Sequence, residues 1–322
     1  MCYIVEILRF IESWVIPLDI ASVTMKMAVL VLLMLIGYFC AKIGVTGPES
    51  NKYSSKIVLD VLIVGTILNS VINIEPSLTT AQILELFGMS VLMFVIMGAV
   101  AWFFPWLLHI KSEDKGLSRI VVLFMNNAFV GFPVIQLVFG TEAVFYASLT
   151  NIPFNILMYT VGVAQIRGSE GEKFSWRDIL NAPMAATLAA VAVFILRPAV
   201  PQVLADTISM LAGATIPLSM IIIGTSLAAI PLKDAFGDWR AYVLSLVRLI
   251  VCPLAVWAVL RLFNTNGMML GILTITAACP TAMILTVLCL QYGRDEALAS
   301  KTIFLSTVMS AVTMPLIIWL LL

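Results

Sequence analysis

The chain has 322 residues, 61% of them hydrophobic and only 11% charged, with 18 basic residues, 18 acidic residues and one histidine. A soluble domain carries roughly a quarter charged residues, so a water-soluble globule, a disordered chain and a nucleic-acid binder are all excluded for want of polar surface. A mean hydropathy of +1.08 makes lipid the solvent, and a net charge of zero then says little about partners.

At the N-terminus, Glu6, Arg9 and Glu12 interrupt the apolar run, so residues 1–19 do not read as a secretory signal peptide. With Trp14 and a stop near Pro17 they read as a short interfacial helix or a solvated turn. A spanning helix needs about 20 mostly apolar residues, and the windows between charges predict the crossings. Crossing 1 lies between Asp19 and Lys42, around Lys26, and crossing 2 between Lys56 and Glu75, around Asp60. Clean windows follow from Glu85 to His109, Arg119 to Glu142, Glu142 to Arg167, Asp178 to Arg197 and Asp206 to Lys233. The last three run from Arg240 to Arg261 around Arg248, from Arg261 to Arg294, and from Lys301 to the end, which makes ten.

Ten crossings put both termini on one side, and alternate loops test the number. Those after crossings 1, 3, 5, 7 and 9 collect thirteen of the eighteen Lys and Arg residues, as expected of cytoplasmic loops. Both termini are therefore expected outside.

Residues 57–68 and 216–227 share six identities in twelve positions, including Gly65-Thr66 and Gly224-Thr225. Phe139-Gly-Thr-Glu142 similarly matches Tyr292-Gly-Arg-Asp295. This divides the chain into halves at 20–166 and 179–322, joined by a charged cytoplasmic linker at 167–178. Each half holds five crossings, an odd number, so the second enters the membrane from the opposite face. Inverted repeats mark transporters, because one packing then provides both outward-open and inward-open states.

Polar residues interrupt matching crossings. Crossing 4 carries Asn126, Asn127, Gly131 and Pro133, and crossing 9 carries Pro280 and Thr281. A proline in a membrane helix frees a carbonyl that hydrocarbon cannot satisfy, so paired breaks are expected to meet at a cavity. Half-helix N-termini there suit an anion. Asn151 and Asn155, with Ser148, share one face of crossing 5, and read equally as cavity lining or as interhelical glue. Lys301, Thr302 and Ser306 in crossing 10 read as glue, and Pro153, Pro217, Pro253 and Pro315 as kinks. Asp60, Arg248 and Lys301 remain open as charge or coupling residues, whereas Lys26 is expected to snorkel. The cysteines suggest neither a disulfide framework nor a metal site. No cofactor is expected. No HExxH, GxSG or GxGD motif suggests an enzyme, and no P-loop suggests ATP hydrolysis.

Gly37-Tyr38 with Lys42 and Gly44, the run from Asn127 through Pro133 to Gly140, and the run from Pro280 to Asp295 together resemble the auxin efflux carrier family in its short bacterial form. The resemblance covers nearly the whole chain. It implies an all-α polytopic membrane protein with a scaffold of crossings 1, 2, 6 and 7, which usually dimerises. A mobile transport unit would comprise crossings 3–5 and 8–10, with broken helices 4 and 9 crossing at Pro133 and Pro280. It puts Asn126 or Asn127 at a substrate carboxylate, and implies a permease of the inner membrane for small organic acids such as malate, malonate or oxalate. Two departures stand out: Leu62-Ile-Val-Gly65 where relatives often carry proline, and a short central loop. The expected function is elevator-like secondary transport of a small mono- or dicarboxylate. The alternative is a sodium- or proton-coupled symporter of another solute.

Overall fold

The structure, a computed structural model, describes residues 20–72, 79–110, 112–167, 180–230, 237–263, 265–292, 294 and 297–322. The expected interfacial segment 1–19 and the linker 167–178, apart from the helix end at Arg167, lie outside the described residues, as do Gly293 and Asp295.

Helices make up nearly all of the described chain. The first are α1 (Ile20–Lys42), α2 (Pro48–Ile57, Val58–Leu62 and Ile63–Asn69), α3 (Thr80–Leu107), α4 (Ser112–Leu123) and α5 (Asn127–Phe139). There follow α6 (Ala143–Ser148), α7 (Asn151–Leu157, Met158–Gly162 and Val163–Arg167), α8 (Ala182–Leu196), α9 (Gln202–Ala229) and α10 (Trp239–Arg261). The chain closes with α11 (Gly267–Ala278), α12 (Ile284–Gln291) and α13 (Ala297–Leu321). By length and composition, five are fit to cross a bilayer: α3, α9, α10, α13 and the Thr24–Lys42 part of α1. Among the described residues the fold is thus all-helical, with several helices of the length and apolarity that a multi-pass membrane protein requires.

Caps set the helix ends. Thr79 and Gln82 form a capping box that starts α3, with the Gln82 side chain accepting from Thr79 N at 2.9 Å. Gly140 ends α5 with φ at 92°, a backbone that a side chain would strain.

Four rods contain a widened turn whose N–H reaches five residues back: Val58–Leu62, Asn127–Gly131, Met158–Gly162 and Val247–Val251. Two share a cause. Pro133 and Pro253 each follow the turn by two residues, and a proline ring clashes with the carbonyl four positions before it. The helix relaxes by pairing Phe132 N with Asn127 O and Cys252 N with Val247 O. Pro253 therefore widens its helix, and Pro217 and Pro315 sit inside helices that continue past them.

α1, α2, α8 and α9 pack as one group, while α10, α11 and α13 pack with one another, α10 also meeting α3 and α13 meeting α4. α1 and α9 come into backbone contact at Gly37 and Gly224. A methyl on Gly37 would fall into the Ile221 backbone, and one on Gly224 into that of Met34. The two Gly-Thr pairs of the sequence match lie on α2 and α9. Thr66 and Thr215 join these helices by a hydroxyl pair at 2.6 Å, and Thr225 donates to Gly37 O. Lys26 does more than snorkel, since its Nζ donates to Leu137 O at 2.7 Å, in the last turn of α5. A cation there complements the helix C-terminus.

Asp238 caps α10 by accepting from Arg240 N at 3.0 Å, and Arg240 also reaches Asp114 near the start of α4. The hydrogen-bonded Arg240 guanidinium holds the Asp238 carboxyl below its ordinary range. A carboxyl lowered in the fold stabilises it above the unfolded value of about 3.9, and that contribution fades as pH falls through the lower folded value. Asp238→Asn keeps a capping side chain and isolates the charge. The variant should therefore melt below wild type at pH 7, and the gap should close as the pH is taken below about 4, which thermal unfolding in detergent will read.

Candidate functional site

Two broken rods meet. α4 stops at Leu123 and α11 at Ala278, and the extended residues after each pair as a short antiparallel bridge centred on Met125 and Thr281. Asn126 N donates to Pro280 O at 2.8 Å, and Ala282 N donates to Phe124 O at 3.0 Å. The Thr281 hydroxyl donates to Val121 O at 2.9 Å, and Ser306 Oγ of α13 accepts from Thr281 N at 3.1 Å. Phe124, Met125, Asn126, Pro280, Thr281 and Ala282 are all buried. Backbone freed at the breaks thus finds protein partners where lipid offers none.

The position of the first break corrects the expectation that the rods cross at Pro133 and Pro280. Pro280 stands in the crossing, but Pro133 lies beyond it, in the first turn after the widened segment of α5. Pro133 widens the turn before it, and α5 continues past it unbroken. The first break instead falls at Phe124–Asn126, where Asn126 leaves helical geometry (φ −81°, ψ 67°) and its Oδ1 accepts from Phe129 N at 3.4 Å. A polar side chain that satisfies the next helical turn ends one helix and starts another.

Beside the crossing lies a cavity of about 230 Å³. Its walls are Leu59 and Asp60 of α2, Met125 to Phe129, Asn151, Phe154, Asn155, Met158 and Tyr159 of α7, Asn181 and Pro183 of α8, and Ala282 to Ile284. The first turns of α5 and α12 therefore border it, and helix N-termini carry partial positive charge.

Four of the expected site residues, Asn126, Asn127, Asn151 and Asn155, come together in this wall. Asn127 Nδ2 donates to Thr150 Oγ1 at 3.0 Å and to Asn151 Oδ1 at 3.3 Å. Asn155 Nδ2 donates to Asn151 O at 2.8 Å and, through its Oδ1, accepts from Asn181 Nδ2 at 2.6 Å. Asn151 and Asn155 are thus both lining and glue. Each of Asn126 Nδ2, Asn151 Nδ2 and Asn127 Oδ1 is buried with no protein partner. Buried amide groups without partners are costly, and three such atoms face one small wall.

The other expected residues stand elsewhere. Pro280 and Thr281 hold the bridge. Gly131 gives the close approach behind it, since a methyl there would meet Asn127 Oδ1 and Cys279 Sγ. None of Gly131, Pro133, Pro280 and Thr281 lines the cavity. Of the three charge candidates, Asp60 lines it, exposed to it from α2. Arg248 is fully buried in the widened turn of α10. Lys301 faces a separate polar cleft of about 550 Å³ with His109, Asp238 and Arg240.

Asn181 escaped sequence reasoning. Its signal was an asparagine two residues before Pro183, the pattern of a helix cap, and it caps α8 by accepting from Met184 N at 3.0 Å. Among the described residues no three His, Cys, Asp or Glu side chains gather as a metal site would require.

The pattern of the family described as "Membrane transport protein" matches this chain over residues 22–175 and 169–318. An uncharacterized transporter of Methanocaldococcus jannaschii is 28% identical over 319 residues, 95% of this chain and 99% of its own. One from Methanothermobacter thermautotrophicus is 29% identical over 292 residues, 88% of this chain and 93% of its own.

Proposed function

Because the chain belongs to the membrane transport protein family, that of the auxin efflux carriers, we propose that it is a secondary transporter moving a small organic anion by alternating access. The observation that carries this reading is the wall of unpaired amide groups beside the crossing of two broken rods. Asn126 Nδ2 and Asn151 Nδ2 offer two donors, the number a carboxylate needs for its two oxygens, and the first turns of α5 and α12 favour negative charge. A cavity of about 230 Å³ suits a mono- or dicarboxylate of malonate size. Asn126, Asn127, Asn151 and Asn155 are the contacts, with Gly131, Pro133, Pro280 and Thr281 shaping the crossing.

The transport step is an elevator-like slide of crossings 3–5 and 8–10 along a scaffold of crossings 1, 2, 6 and 7. The mutual packing of α1, α2, α8 and α9 supports that scaffold. An antiparallel bridge has local two-fold symmetry, which supports two inverted five-helix halves. The carrier works as a homodimer in the inner membrane with both termini outside.

Asp60 favours a coupled version. A carboxylate on the cavity wall repels an anion, so a proton or sodium ion entering there first would raise substrate affinity. The test is uptake of labelled malonate by proteoliposomes under imposed proton and sodium gradients. Uptake should be saturable and follow one of the gradients, and Asp60→Asn should make it gradient-independent. No uptake of malonate, malate or oxalate above empty liposomes sinks the anion reading, and uptake indifferent to both gradients sinks the coupling.

A further inference from the structure

We propose that Arg248 is the seat of a second, buried site for one small monovalent anion, where the widened turn of α10 packs against α4, α11 and α13. The Arg248 side chain has no exposed surface, and among the described residues Nε, Nη1 and Nη2 have no oxygen or nitrogen partner, the thiol of Cys252 offering at most a weak contact. Among the described residues no carboxylate pairs with it, and the ionisable side chains acting on it are the thiols of Cys252 and Cys279. A guanidinium cannot shed its charge at physiological pH, and a bare buried cation carries a heavy desolvation penalty. Something negative must offset it.

The helices packed on it carry hydroxyl donors, and among the described residues no carboxylate reaches it. The widened turn Val247–Val251 that holds Arg248 packs against α4, α11 and α13. Those helices carry the hydroxyls of Ser118, Thr274, Thr276 and Thr307, each buried without a partner. A guanidinium fork is chemistry for a halide or for a small carboxylate such as acetate, rather than for an anion as bulky as gluconate, whereas water would leave the charge uncompensated. The site is distinct from the cavity, whose walls exclude Arg248. Cys279 Sγ packs on Gly131, behind Asn127.

The full chain, purified in detergent and sodium gluconate, is melted with added sodium chloride or sodium acetate. A ligand that binds only the fold raises the melting temperature with saturation, so wild type should gain several degrees from chloride, from acetate, or from both, and the effective salt names the source. Arg248→Met, neutral and of similar length, should show no gain and should melt in gluconate no lower than wild type. Crystals grown in bromide should give an anomalous peak within hydrogen-bond distance of the Arg248 guanidinium if a halide is the occupant. The proposal is overturned if neither salt stabilises wild type, or if Arg248→Met responds equally. If Arg248→Met does not accumulate, Arg248→Lys replaces it: the charge stays and the fork is lost, so the gain should need at least tenfold more salt, and an unshifted response overturns the site. None of these readouts depends on uptake, so they stand or fall apart from the transport reading.

Discussion

Malonate uptake by the Asn127→Ala protein should fall at least about tenfold, with the protein still folded. Asn127 Nδ2 ties Thr150 Oγ1 and Asn151 Oδ1 together, so the change removes one amide from the wall and frees the orientation of a second. Leaving a buried partner unpaired costs about 1–3 kcal/mol, and about 1.4 kcal/mol is a factor of ten in binding. Thr150 keeps a donor role to Ala147 O, so the loss falls mainly on Asn151 and the cavity. Ser148→Ala is the matched control. Its hydroxyl serves only Phe145 O three residues back in its own helix, and uptake should stay within about twofold, a change of under 0.5 kcal/mol. Equal uptake by wild type and Asn127→Ala would remove the asparagine wall from the binding site.

The largest loss of stability should come from Gly224→Val, far from that wall. α1 and α9 touch backbone to backbone at this residue, so the new side chain meets Met34 O and Tyr38 N, which cannot rotate away as a side chain could. Close helix approach through small residues is a common basis of packing in lipid. Overpacking ordinarily costs about 1–3 kcal/mol, and with main chain as the obstacle the loss should exceed about 3 kcal/mol, enough to prevent recovery of folded protein from detergent. Gly213→Ala in the same helix has no neighbour within 4 Å of its new methyl. It should be neutral or stabilise by up to about 1 kcal/mol. Comparable melting of the two variants would refute the close-contact account.

Much of this was legible because lipid enforces simple rules. Charge-free windows located the long rods α3, α9 and α13, and polar residues stood out at the breaks since hydrocarbon tolerates them only with a purpose. Asn126 and Asn127 were read as site residues on that ground, and they line the cavity. The place of the first crossing was misread because a proline is the loudest helix breaker in a sequence. Pro133 sits inside α5, which widens over one turn to accommodate it and continues, while the break depends on Asn126 capping the next turn and on a backbone partner from Pro280, 154 residues later. No periodicity encodes such a pairing. The contact of Lys26 with Leu137 O was hidden for the same reason, being a bond to main chain rather than to an opposite charge. Arg248 stands out in the sequence as an ionisable residue within a span, open as a charge or coupling residue, but its full burial and its lack of a carboxylate partner among the described residues emerge only with the neighbouring helices in place.

The bridge at Met125 and Thr281 has a mechanical corollary. Two short hydrogen bonds of opposite sense, flanked by the Thr281 and Ser306 hydroxyls, yoke one rod from each half of the chain at a single point. Tilting either rod alone would strip main-chain groups bare where no solvent can replace their partners. In the proposed transport step the two would therefore have to travel together, with the bound anion held between them.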